Sequence, residues 1–219
     1  MKNVKNEMKP LDLLLYLVLD PDLCGGAEGM VRTARLAAEN GATVVQLRAP
    51  NWKKRQWLAT ARELKSVLEP FGVPLIINDH IDIALAVDAD GVHVGQDDMP
   101  VADVRRLIGP DKWLGLSVTN AVQMAEVPYE LVDYLGIGPV YPTGTKSDAA
   151  PVVGVSAFAE LVAESRLPVV GIGGIQVGNC LPLVQAGAKG VAVVSAICGQ
   201  EDPVRATKVL LERLKQVFG

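Results

Sequence analysis

At 219 residues the chain is longer than most single domains, yet it suits a (β/α)8 barrel, which takes about 200 residues or more as one unit. Its 49% apolar and 5% aromatic content supplies a large core of close-packed strands and helices and excludes general disorder. A net charge of −4, with no Lys/Arg block interleaved with aromatics, excludes a nucleic-acid surface, and the scattered Cys24, Cys180 and Cys198 exclude a disulfide framework or zinc site.

Residues 1–12 carry lysines but lead into an apolar run, 13–19, that is short and stops at Asp20, so they read as an N-terminal tail rather than a secretory leader. No apolar run approaches the roughly 20 residues that cross a bilayer. The expectation is a soluble cytoplasmic protein, with residues 13–219 forming one catalytic domain and homo-oligomerisation left open.

In chain order, runs rich in Val, Ile and Leu predict strands at 13–20, 44–48, 75–79, 91–95, 114–119, 134–140, 169–175 and 190–197. Segments of helical spacing fall between them at 29–40, 53–71, 81–87, 101–108, 121–126, 156–165 and 180–186, and 203–217 closes the chain as an eighth helix. Strict alternation implies parallel strands joined by right-handed crossovers, and eight repeats favour a closed (β/α)8 TIM barrel over an open sheet. Asn40-Gly41, Phe71-Gly72 and Ala186-Gly187 supply glycines for left-handed helix ends. The one long connection, 142–155, with Lys146 and Asp148, reads as a lid or as an ordinary surface loop.

A barrel builds its active site at the carboxyl ends of its strands, and polar residues gather there repeatedly. Gln46 and Arg48 share a parity that turns both inward if Val45 and Leu47 face the helices. Strand three ends in Asn78-Asp79, and Gln96-Asp97-Asp98 follow strand four. Ser117 and Thr119 close strand five, Thr143, Thr145 and Lys146 follow strand six, and Ser195 lies near the end of strand eight. Taken singly, Asp79 or Asp98 reads as a helix cap, Lys146 as a solvated lysine, and Thr143 or Thr145 as a turn residue. Arg48 is harder to dismiss, because an inward guanidinium needs an anion, whether Asp79, Asp98 or a ligand.

Two halves differ in kind. Gly171-Ile172-Gly173-Gly174-Ile175 and Val194-Ser195-Ala196 end strands seven and eight, where barrels seat a phosphate on backbone N–H groups; the alternative for the glycines is close packing, most plausible for Gly171. Asp79 and Asp98 suit the one or two carboxylates that Mg2+ takes from a protein, and Arg48 and Lys146 complete a half fit for a diphosphate. His93, mid-strand, reads as a hydrogen-bonded interior histidine, and His80 as a helix-start residue.

Gln46-Leu47-Arg48, Ile77-Asn78-Asp79, the run 89–98 ending in Gly95-Gln96-Asp97-Asp98, Gly115-Leu116-Ser117, Pro142-Thr143-Gly144-Thr145-Lys146, Gly171 to Ile175 and Val194-Ser195-Ala196-Ile197 together resemble the thiamine-phosphate synthase family. The resemblance implies a Mg2+-dependent transferase of thiamine biosynthesis. The hydroxymethylpyrimidine diphosphate loses pyrophosphate, through an early-breaking bond that leaves a pyrimidine carbocation, and the ring nitrogen of a thiazole phosphate takes the methylene carbon. It further implies that Asp79 and Asp98 hold the metal and that Gln46, Arg48, Asn78, Ser117 and Lys146 contact the pyrimidine diphosphate, with Arg48, Ser117 and Lys146 as its catalytic contacts. Thr143, Gly144, Thr145, Gly174, Val194 and Ser195 would surround the thiazole phosphate, and no general base is obligatory.

One position departs from the family pattern. A lysine expected two residues after Arg48 is replaced by Pro50, and we expect Lys53 or Lys54 to supply the missing cation. Two rivals are a thiazole tautomerase, which would need a proton-shuttling base where this chain has Thr119 and Asn120, and a non-catalytic barrel that binds a phosphorylated ligand.

Overall fold

A computed structural model describes residues 11–144 and 151–218. Eight parallel strands close into a barrel in sequence order: β1 (Leu15–Leu19), β2 (Val44–Leu47), β3 (Leu75–Asn78), β4 (Gly91–Val94), β5 (Trp113–Val118), β6 (Tyr134–Ile137), β7 (Val169–Ile172) and β8 (Gly190–Val193). Pairing of β8 with β1, Val191 opposite Leu15 and Val193 opposite Leu17, shuts the sheet. The sequence-predicted barrel is therefore observed, with strands shorter at their carboxyl ends because those residues turn into the loops that carry the site.

The helices are α1 (Pro21–Cys24), α2 (Ala27–Glu39), α3 (Lys54–Leu68), α4 (Ile81–Val87), α5 (Val101–Ile108), α6 (Ala121–Ala125), α7 (Gly154–Glu164), α8 (Leu181–Gln185) and α9 (Pro203–Phe218). The short α1 escaped the periodicity reading. Its single turn is held by Asp20, whose Oδ1 accepts from the N–H groups of Asp22 and Leu23 at 3.0 Å, with Pro21 at the first helical position. At the end of α3 a 3-10 turn, Glu69–Phe71, stops at Gly72 in the left-handed conformation.

Alternation along each strand divides the apolar residues into two layers. Leu15, Leu17, Val45, Leu47, Ile77, Val92, Leu135 and Val191 face outward into the core shared with the helices. Tyr16, Val18, Val44, Ile76, Tyr134, Val170 and Ala192 face inward and pack with Leu13, while Leu11 and Trp113 lie against them. The barrel thus has a filled base and leaves its upper interior, above Tyr16 and Val170, to the polar residues at the strand ends. Among the described residues no helix is long and apolar enough to cross a membrane, and the three cysteines are free thiols.

Candidate active site

The upper interior opens into a cavity of about 180 Å³. Of the residues singled out from sequence, Gln46, Arg48, Asn78, Ser117, Thr143, Gly174, Val194 and Ser195 line it together. Gly144 is exposed beside Thr143. Asp79 and Asp98 stand at the same end of the barrel, outside the lining. Thr145, Lys146 and Asp148 lie outside the described residues.

Gln46 and Arg48 point inward as their parity requires, since Val45 and Leu47 belong to the outer layer. Arg48 is not in any of the ion pairs formed among the described residues. Its charge nevertheless reaches Asp79, where it pulls against a larger upward push. Burial first, then the charge and contact of Asp98, raise the Asp79 carboxyl to about 7, and hydrogen bonding to Asn78 pulls with Arg48 against that rise. Asn78 Nδ2 donates to Asp79 Oδ2.

Neither aspartate caps a helix. His80 takes the position before α4, as the helix-start reading held, and Pro100 takes the one before α5. Asp98 instead turns back on its own loop, its Oδ2 accepting from Gly95 N–H at 2.7 Å. Asp79 adopts a left-handed backbone, φ 57°, with its N–H donated to His93 O at 3.0 Å. Aspartate is among the few residues other than glycine that enter this region, and such conformations gather at functional sites. The outcome is a pair of adjacent carboxyls in which burial and the neighbouring Asp98 disfavour ionisation of Asp79. Among the described residues no cluster of three or more His, Cys, Asp or Glu could hold a metal, so any ion here would draw on two carboxylates, which is the donor set usual for Mg2+.

Across the cavity, Gly173 and Gly174 have φ of 97° and 65°. A Cβ on Gly174 would stand 2.5 Å from Pro142 O and 2.8 Å from Tyr141 Cβ, so this turn passes tight under the loop after β6. Gly171 differs, since its missing Cβ makes room for Leu183 and Phe158 on the helix side. Close packing therefore accounts for Gly171, while conformation and the crossing of two loops account for Gly173 and Gly174. After β8 the chain makes one helical turn, with Cys198 N–H donating to Val194 O at 2.8 Å, and Ser195 sits within it. Ser195 Oγ accepts from Gln176 Nε2 at 3.1 Å, and its carbonyl accepts from Gln200 Nε2 at 2.7 Å.

The cavity floor holds groups that the strand-end reading missed. Gln46 Nε2 donates to the Tyr16 hydroxyl at 2.7 Å, and that hydroxyl lies 2.9 Å from the Tyr134 hydroxyl. Tyr134 in turn lies 3.1 Å from His93 Nδ1, and His93 Nε2 lies 2.9 Å from Ser117 Oγ. His93 is interior and hydrogen-bonded, as expected, but its partner is a predicted site residue. Tyr16 and Tyr134 offered one sequence signal, a hydroxyl at an inward position of a strand that is otherwise apolar.

Known proteins share both the sequence and the fold. The sequence profile of a family described as thiamine monophosphate synthase matches residues 15–197. The chain is 56% identical over 202 residues to a thiamine-phosphate synthase of Laribacter hongkongensis, covering 92% of this chain and 95% of the relative. It is 50% identical, with the same coverage, to a thiamine-phosphate synthase of Xanthobacter autotrophicus. A solved thiamine phosphate pyrophosphorylase from Pyrococcus furiosus superposes with a TM-score of 0.85 at 34% identity, covering 95% of this chain and 98% of that one.

Proposed function

Because the chain belongs to the thiamine monophosphate synthase family, and is therefore an enzyme acting on small molecules, we propose that it joins a hydroxymethylpyrimidine diphosphate to a thiazole phosphate. In this reaction the bond between the pyrimidine methylene and the diphosphate oxygen breaks, and pyrophosphate departs with the electron pair. The thiazole ring nitrogen forms the new bond to carbon, giving thiamine phosphate. The observation that carries the reading is that two anion-suited groups face one cavity, Arg48 on one side and Gly174 with Ser195 on the other, with the Asp79 and Asp98 pair at the same end of the barrel, outside the lining.

The chemistry asks the protein to stabilise departing charge and to keep water from a carbon cation. Arg48 would bind diphosphate oxygens, its guanidinium matching phosphate geometry. Gln46, Asn78 and Ser117 would hold the pyrimidine half, and the apolar floor of Val18, Val170 and Ala192 would shield the methylene. Asp79 and Asp98 would hold Mg2+, a fit supported by two neighbouring carboxyls, of which Asp79 is pushed up by burial and by the Asp98 charge and would ionise more readily beside a cation. When bound, the ion neutralises charge on the leaving diphosphate. Thr143, Gly144, Gly174, Val194 and Ser195 would seat the thiazole phosphate. The roles of Thr145 and Lys146 rest on the sequence resemblance.

Residues 13–219 would act as one catalytic barrel, and free thiols support a cytoplasmic setting. The comparisons give no support to the tautomerase or the non-catalytic rival. Purified protein supplied with both substrates and Mg2+ should release pyrophosphate and thiamine phosphate in equal amounts, and a chelator should stop both. Tight binding of either substrate with no product would overturn the proposal.

A further inference from the structure

Gln46 and Ser117 line the cavity from β2 and β5 and belong to one continuous line of hydrogen bonds through the barrel: Gln46, Tyr16, Tyr134, His93, Ser117. Strand register builds this line. His93 pairs with Gly115, and Gly115 with Tyr134, so the glycine leaves a gap in which the imidazole and the phenol meet. A Cβ on Gly115 would overlap both His93 Nδ1 and the Tyr134 ring, and one on Gly136 would press to 3.1 Å from His93 Cε1. Tyr16 and Tyr134 are each 1% exposed, so no bulk water competes for their hydroxyls.

A hydroxyl gives one proton, and a neutral imidazole gives from one nitrogen and accepts at the other. The direction of the whole line then follows from its first member. The Gln46 amide nitrogen can only donate, so the Tyr16 oxygen accepts and its own proton turns to Tyr134. The Tyr134 proton turns to His93 Nδ1, which leaves the His93 proton on Nε2, directed at Ser117 Oγ. The serine proton is then left for the cavity. Burial pushes both phenols above their ordinary range and keeps them protonated.

We propose that Tyr16, Tyr134 and His93 are positioning residues that set the polarity of the pyrimidine site, fixing Ser117 as a hydrogen-bond donor and Gln46 Oε1 as an acceptor. The inference rests on the synthase reading for what occupies the site. The ligand chemistry it selects is an N–H group toward Gln46 and a lone-pair atom toward Ser117. The serine–histidine contact here differs from a nucleophile with its base, because a base would accept the serine proton at Nε2 and take its orientation from a carboxylate on Nδ1. In this chain Nδ1 meets a neutral phenol.

Long-range proton–nitrogen correlation spectra of the substrate-free protein, labelled with 15N at histidine, test the polarity directly. His80 is the other histidine, and a His80→Gln sample assigns the signals. His93 should carry its proton on Nε2, and Tyr134→Phe should produce a mixture of tautomers; Tyr16→Phe serves the same purpose if the first variant fails to fold. In turnover, Tyr134→Phe should lower kcat/KM about tenfold, the worth of one well-placed hydrogen bond. It should lower it no further in a Ser117→Ala background, because its effect passes through Ser117. An Nδ1 proton in the wild-type protein, or losses that multiply in the double variant, would overturn the proposal. The tautomer is read without substrate, so an error in the synthase reading cannot be mistaken for an error in the relay.

Discussion

Asp79 and Asp98 meet where β3 and β4 end, and burial together with the Asp98 charge pushes the Asp79 carboxyl up to about 7. Two carboxyls held this way are poorly matched to each other and well matched to a divalent cation. Asp98→Asn keeps an oxygen for Gly95 N–H and so should keep the loop. It should nonetheless lower Mg2+-dependent turnover about 100-fold or more, several kcal/mol of charge stabilisation being at stake. Full activity at saturating substrates and ordinary Mg2+ concentrations would remove the metal assignment.

The same pair should leave a mark on stability when no metal is present. Below about pH 4 both the folded and the unfolded chain hold the Asp79 proton, given an unfolded value near 3.9. Between about pH 4 and 7 the unfolded chain releases it while the folded chain keeps it, so stability falls as pH rises through this window. Asp98→Asn takes away the like charge and should flatten the fall. In chelator, the variant should gain about 1 kcal/mol over wild type between pH 5 and pH 8, a modest figure because solvent screens a partly exposed pair. Urea midpoints at the two pH values measure it, and parallel profiles for the two proteins would count against the contact.

Pro50 stands where the family resemblance leads one to expect a lysine for the proposed diphosphate site, and the two nearby lysines are placed differently. Lys53 is the residue before α3 and is exposed. Lys54 Nζ lies 2.8 Å from both His80 Nδ1 and Asp82 Oδ1, next to the residue that follows Asp79. Its ion pair is more than half exposed on both sides, and pairs of this kind hold by about 0–1 kcal/mol, little enough for a diphosphate to outbid. Lys54→Ala should therefore raise KM for the pyrimidine diphosphate about tenfold, a charge-assisted hydrogen bond being lost. Lys53→Ala should leave KM unchanged, and equal effects of the two would reject the distinction.

The barrel was legible because eight apolar runs alternate with eight helical periods, and no other closed arrangement uses that order. The strand-end residues were legible because parity along one strand says which side chains turn inward, as it did for Gln46 and Arg48. Partnerships across the barrel were not. That Gln46 meets Tyr16, and His93 meets Tyr134 and Ser117, depends on the register between strands far apart in sequence, which no single strand encodes. The helix α1 was missed for a related reason, since one turn shows no period and its cap, Asp20, looked like the end of a strand.

The glycines of β7 and of the turn after it separate packing from ligand contact. Gly171 fills its place against Leu183 and Phe158, away from the cavity, so Gly171→Ala overpacks the core at a cost of about 1–3 kcal/mol. Its Tm should fall while KM for the thiazole phosphate stays within twofold. Gly174 lines the cavity with φ 65° and lies under Pro142 O. In Gly174→Ala the left-handed backbone alone costs about 1 kcal/mol, and relief of the clash must move either this turn or the loop after β6 that carries Thr143. Either movement displaces groups assigned to the phosphate, so KM for the thiazole phosphate should rise at least tenfold in addition to the fall in Tm. Steady-state kinetics varying the thiazole phosphate, run beside thermal melts, compare the two variants. A rise in KM for Gly171→Ala equal to that for Gly174→Ala would mean that strand seven contributes general packing and no phosphate seat.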